Sequence, residues 1–83
     1  MASKVFYKAS VAQDLKRLDK PLAARLIRTL EAALSENPRA GEPLHGEFHG
    51  LFKYRAGDYR VVYALVPDGV LVLRIRHRRD VYR

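Results

Sequence analysis

Lys53, Arg55, Arg60, Arg74, Arg76, Arg78, Arg79 and Arg83 all fall in the last third of the chain, Leu51 to Arg83, against only Asp58, Asp68 and Asp80. These 33 residues hold a net +5 of the chain's +7. Five of the cations alternate with apolar residues instead of forming a tail run. In a strand, neighbouring side chains point to opposite faces. The segment therefore reads as a sheet with an apolar side to pack and a cationic side able to hold a polyanion, phosphate first.

The strands that must position these groups run over about Leu51–Arg55, Tyr59–Val66 and Val70–His77, with turns at Ala56-Gly57-Asp58 and Pro67-Asp68-Gly69. No helix separates them, so they pair as antiparallel hairpins. A two-residue loop at Ala56-Gly57 places Arg55 opposite Asp58 and Lys53 opposite Arg60. With Val66 opposite Val70, the second hairpin places Arg60 across from Arg76 and Val62 across from Arg74. One face then collects Lys53, Arg55, Arg60, Arg74 and Arg76. The other collects Phe52, Tyr54, Tyr59, Val61, Tyr63, Leu65, Leu71, Leu73 and Ile75. A slip of one residue in either hairpin would mix the two sets. Like charges directly opposite one another destabilise a sheet. A phosphate-binding face accounts for the row better than simple solvation does.

Upstream lies what should cover the apolar face. Lys4–Tyr7 reads as a short strand. A helix follows over about Val11–Leu18, with Val11, Leu15 and Leu18 on one stripe. Asp19 is the expected N-cap of a second helix with Pro21 in its first turn. Leu22, Leu26, Leu30 and Leu34 form its stripe, widened by Ala23, Ile27 and Ala33. Asn37-Pro38 ends it. Lys16, Arg17, Arg25 and Arg28, balanced by Asp14, Asp19, Glu31 and Glu36, read as a solvated helical surface. Arg39 to Gly50, with four Gly or Pro residues beyond Pro38, reads as an ordered loop. The expected fold is α+β: an N-terminal strand and an αα-hairpin packed on one face of a small, mainly antiparallel sheet.

Composition narrows the function. Eighty-three residues at 48% hydrophobic predict a single domain over 1–83 with a thin core. There is no cysteine to bridge or to ligate zinc, and His45, His49 and His77 are scattered, so no metal or cofactor is expected. The N-terminus lacks an apolar leader and no run is long enough to span a bilayer, which predicts a cytoplasmic protein without a membrane partner. An isoelectric point near 10.1 favours nucleic acid or an acidic protein as partner.

The run Leu44-His45-Gly46, then Gly50-Leu51-Phe52-Lys53-Tyr54-Arg55-Ala56-Gly57-Asp58-Tyr59-Arg60-Val61-Val62-Tyr63, and the closing His77-Arg78-Arg79-Asp80-Val81-Tyr82 resemble the RelE toxins of bacterial type II toxin–antitoxin systems, within the RelE/ParE superfamily. The helical hairpin fits as well, so the resemblance covers nearly the whole chain. It implies a metal-independent, ribosome-dependent endoribonuclease, an mRNA interferase that stops translation. It also implies a cognate antitoxin, with operator DNA reached through the antitoxin complex. By motif, Lys53 corresponds to a lysine proposed as general base and Arg60 to the arginine on the scissile phosphate. Arg78 corresponds to a second arginine that stabilises the transition state, and Tyr82 to a tyrosine that stacks on or orients the nucleotide. Arg55, Arg74, Arg76 and Arg79 are the expected RNA contacts. Such chemistry needs a proton acceptor for the 2′-hydroxyl, a donor to the leaving 5′-oxygen and cations around the phosphorane.

The sequence also departs from that pattern. Leu51 stands where relatives carry a further lysine, leaving the base role to Lys53. Arg78 is aligned across a small length difference, so Arg76 or Arg79 can fill its role. The C-terminal helix of longer relatives is not expected, and His77 points to the core side by parity. The same fold also serves ParE-like toxins that bind and inhibit DNA gyrase without nuclease residues, and toxin-like subunits that bind an antitoxin and operator DNA. Lys53, Arg60, Arg78 and Tyr82 together favour the nuclease.

Overall fold

The computed structural model describes residues 3–81. Strand β1 (Lys4–Tyr7) leads into helices α1 (Ala9–Lys16) and α2 (Lys20–Glu36). A two-residue strand β2 (Glu42–Pro43) and a 3-10 turn at Gly46–Phe48 follow, then β3 (Leu51–Ala56), β4 (Tyr59–Val66), β5 (Gly69–His77) and a helical turn α3 (Arg78–Val81). The sheet order is β1-β5-β4-β3-β2, with β1 parallel to β5 and the other pairs antiparallel. This is the expected α+β arrangement. The expected loop Arg39 to Gly50 contains the short β2 and the 3-10 turn. Among the described residues, no helix is long and apolar enough to cross a membrane.

Helix α2 lies where its leucine stripe demands. Leu26, Leu30 and Leu34 are buried against the sheet with Phe52, Val61, Tyr63 and Val72. Asp19 occupies the N-cap with extended backbone, although its side chain makes no capping hydrogen bond, and Pro21 sits in the first turn. The chain leaves the helix at Asn37 because Pro38 disfavours helical backbone before it.

Helix α1 begins two residues earlier than the periodicity predicts and runs along the edge of β5 past the end of β1. Tyr7 of β1 pairs Val72, and beyond that point α1 takes over. The Ser10 hydroxyl donates to the Leu73 carbonyl at 2.7 Å, and the Ile75 N–H donates to the Asp14 carboxylate at 2.9 Å. Edge groups of a strand need partners; here helix side chains supply them.

The hairpins depart from the expected register in two ways. The first turn is Gly57-Asp58, with Ala56 opposite Tyr59, so Arg55 faces Arg60 and Lys53 faces Val62. Gly57, at φ 62°, provides the left-handed residue that such a two-residue turn requires. The shift from the expected pairing is two residues, a full strand period, so every side chain keeps its face. The second hairpin begins one residue out, with Val66 opposite Gly69. A bulge then leaves Leu73 unpaired and restores Arg74 opposite Val62 and Arg76 opposite Arg60. The bulge inverts the early half of β5: Val70 and Val72 are buried, while Leu71 and Leu73 are not in the core as parity alone would have it.

Candidate nucleic-acid interface

The face of the sheet opposite α2 carries the cations. Arg55, Arg60 and Arg76 form one row across β3, β4 and β5, since Arg55 pairs Arg60 and Arg60 pairs Arg76. Lys53 stands one diagonal step from Arg60, roughly 7–8 Å by strand geometry. Lys53, Arg60, Arg74 and Arg76 line one groove of about 590 Å³. Leu44, Phe48, Leu51, Val62 and Leu73 make its apolar part. Lys53 and Arg60 also border a smaller hollow of about 180 Å³ with Glu42, Tyr54 and Arg55. A row of guanidinium groups on adjacent strands repels itself, and an anion laid across it removes that penalty.

The loop before β3 shapes this site. Tyr63 is fully buried and stacked on Phe52 at 5.4 Å. Its hydroxyl donates to the Pro38 carbonyl at 2.7 Å and accepts from the Gly41 N–H at 3.0 Å. Burial pushes the Tyr63 phenol up, and the Gly41 N–H opposes that shift in part. At Gly41 the loop comes so close to the sheet that a Cβ would lie 2.5 Å from the Lys53 carbonyl oxygen and 2.9 Å from the Tyr63 hydroxyl. Held there, the chain pairs Glu42 with Lys53, and the Glu42 carboxylate reaches the Lys53 ammonium at 3.8 Å.

The structure thus brings Lys53, Arg60 and Arg76 together and treats the other candidates differently. Arg55 ends the arginine row, exposed, with its Nε on the Gly57 carbonyl at 3.2 Å. Arg74 lines the groove, but its guanidinium donates two 3.1 Å hydrogen bonds to Asp14. Arg78 and Arg79 are exposed on α3 and are not among the groove-lining residues. The Arg78 N–H donates to the Asp58 carbonyl at 2.8 Å, which ties this turn to the β3–β4 loop. His77 lies opposite Tyr59, edge to face at 5.2 Å, and its Nδ1 accepts from the Arg79 N–H. Tyr82 lies outside the described residues.

Asp14 and Glu42 are the residues that sequence reasoning missed. Asp14 was expected on a solvated helical surface; it is 8% exposed beside β5. Burial alone would push its carboxyl up, but hydrogen bonds from Arg74 and from the Ile75 N–H, with the charges of Arg74 and Arg76, hold it below the usual carboxylate range. No local pattern marks it: only the fold shows that α1 runs beside an unpaired strand edge. Away from the groove, burial raises the Tyr7 phenol, as does its 2.8 Å hydrogen bond to Glu31.

Residues 5–82 match the family model described as the ParE toxin of the type II toxin–antitoxin system parDE. The chain belongs to this toxin family. Among its relatives, it is 42% identical over 79 residues to Toxin RelE of Mycobacterium tuberculosis, covering 90% of this chain and 80% of that protein. It is 34% identical over 82 residues to Toxin RelG of the same organism, covering 95% and 94%. Its fold is similar to that in the RelBE2 toxin–antitoxin complex of M. tuberculosis, with TM-score 0.84, 31% identity and coverage of 94% and 93%. An arginine double mutant of the E. coli toxin RelE in the free state shares the fold at TM-score 0.72 and 21% identity, covering 99% and 92%. The protein is a RelE-like toxin of a type II toxin–antitoxin system.

Proposed function

We propose that this RelE-like toxin is an mRNA interferase that cleaves messages in the decoding site of the ribosome. The observation that carries the reading is the meeting of Lys53, Arg60 and Arg76 in one groove on the open face of the sheet. In the proposed reaction Lys53 takes the proton from the ribose 2′-hydroxyl as its oxygen attacks phosphorus. Arg60 holds the scissile phosphate, a second arginine offsets charge on the phosphorane as the bond to the 5′-oxygen breaks, and the leaving 5′-oxygen takes a proton from water while Lys53 returns its own to solvent. The products are a cyclic phosphate and a 5′-hydroxyl. Position in the groove favours Arg76 for that second role; motif alignment favours Arg78; Tyr82 orients the nucleotide. The small sheet leaves substrate positioning to the ribosome, which is worth several kcal/mol in well-oriented reactions.

The partner that restrains the toxin is, in this reading, a cognate acidic antitoxin, in keeping with the complex in which the RelBE2 relative was solved. A second reading has the support of the family description itself, which names ParE: inhibition of DNA gyrase by binding alone. Primer extension on a message undergoing translation decides between them. Cuts within codons that need ribosomes, and that fall by about 10²–10³ in Arg60→Ala, support the nuclease. Gyrase-dependent DNA breaks with intact messages support the alternative. Arg76→Ala and Arg78→Ala, compared in the same assay, assign the second arginine.

A further inference from the structure

Two large apolar side chains are exposed among the described residues, Phe6 at 42% and Phe48 at 53%. Only Phe48 lines the cationic groove. It projects from the 3-10 turn Gly46–Phe48, in which no residue is buried. The groove thus has linings of two chemical kinds in one space: the cations Lys53, Arg60 and Arg76, and the apolar side chains of Phe48, Leu44 and Leu73. Among the described residues, no carboxylate lines it. A ligand that matches both linings is an anion joined to a flat, apolar-faced ring, which describes a nucleotide. The volume of about 590 Å³ lies within the usual span of small-molecule sites.

We infer that Phe48 is a stacking platform for a nucleobase next to the phosphate held by Lys53 and Arg60, and so sets which base the toxin accepts beside the cut. The inference rests on the nuclease reading and assigns a specificity role within it. A base bound to a phosphate on Arg60 cannot be far from that phosphate, and Phe48 is the aromatic ring that the described residues place in the same groove. Stacking on an aromatic ring tolerates any base, but its strength differs among them. An acidic peptide would match the cations as well; an aliphatic floor would serve it equally, and an aromatic ring would not be needed.

The chain contains no tryptophan, so Phe48→Trp creates a single indole reporter in the groove. It is titrated with a short oligoribonucleotide carrying 2′-O-methyl riboses, which cannot be cut, and with an abasic oligonucleotide of equal charge. Saturable quenching by the first, absent with the second and lost when Arg60→Ala is added, is the expected result. In ribosome-dependent cleavage, Phe48→Ala and Phe48→Leu lose between about fivefold and a hundredfold in rate, whereas Phe48→Tyr keeps most of it. The preferred base beside the cut shifts in the Phe48→Ala product pattern. Equal quenching by the abasic strand, or wild-type cutting by Phe48→Leu, overturns the inference. So does a Phe48→Ala variant that cuts normally but loses antitoxin binding, which would give the groove to an acidic peptide. Base-dependent quenching by a protein that cuts no message would sustain the platform and overturn the nuclease reading. Cutting without quenching would do the reverse.

Discussion

Removing the Asp14 carboxylate tests how the fold holds the open face in place. In Asp14→Ala the buried Ile75 N–H loses its acceptor, and a buried donor left without a partner costs about 1–3 kcal/mol. Arg74 loses both of its hydrogen bonds to the carboxylate, but its side chain is 44% exposed and water replaces much of that interaction, leaving about 1 kcal/mol. Together the loss is about 2–4 kcal/mol. For a chain of this size each kcal/mol moves Tm by roughly 4–8 °C, so calorimetry should show a fall of at least about 8 °C. Asp14→Asn keeps an oxygen for Ile75 and should cost about half as much. The pH dependence has a definite sign. A carboxyl held low in the folded state contributes stability that is fully present above the unfolded value, about 3.9, and is lost as pH falls through the folded value. Wild type should therefore lose stability more steeply than Asp14→Asn in acid. Asp14→Ala within about 0.5 kcal/mol of wild type, or identical acid limbs, would refute the edge-clamp reasoning.

Tyr63→Phe removes the hydroxyl that joins Pro38 to Gly41 and should lower stability by about 1–3 kcal/mol in urea unfolding; a loss of stability with unchanged m would show that the fold itself is kept. Gly41→Val places a branched side chain against the Lys53 carbonyl and the Tyr63 hydroxyl, and should displace Glu42 from Lys53; toxicity unchanged at equal expression and stability would separate Glu42 from the site. Association with the antitoxin should slow as ionic strength rises, because a +7 chain attracts an acidic partner over a distance that salt shortens; stopped-flow rates at low and high salt measure it, and a salt-independent rate would exclude electrostatic capture.

The faces of the sheet were legible in the sequence because they depend on parity. A first hairpin two residues out of register still sends Lys53, Arg55 and Arg60 to one side, since the period is two. The second hairpin was legible only in its latter half. The run Val70-Leu71-Val72-Leu73 is apolar at every position, so nothing in it reveals that Leu73 is an extra residue and that the inward set changes from even to odd numbers there. Arg74 and Arg76 alternate with Ile75, and the pattern becomes readable at that point.

The groove was less legible than the face that contains it, for a reason of range. Lys53, Arg60 and Arg76 follow from strand alternation, a local rule. Glu42, Phe48 and Asp14 reach their places through contacts that no local rule encodes. Glu42 depends on a hydroxyl 21 residues later in the chain that anchors its neighbour Gly41, and Asp14 on a strand edge 60 residues away. A loop with three glycines and an exposed phenylalanine looks like any surface loop until the sheet is beneath it. The strands supply the row of charge, and the loop from Asn37 to Gly50 brings Glu42 to Lys53 in the smaller hollow and Phe48 to the larger groove. Substitutions in the strands should therefore change how fast the toxin acts, and substitutions in the loop should change what it acts on.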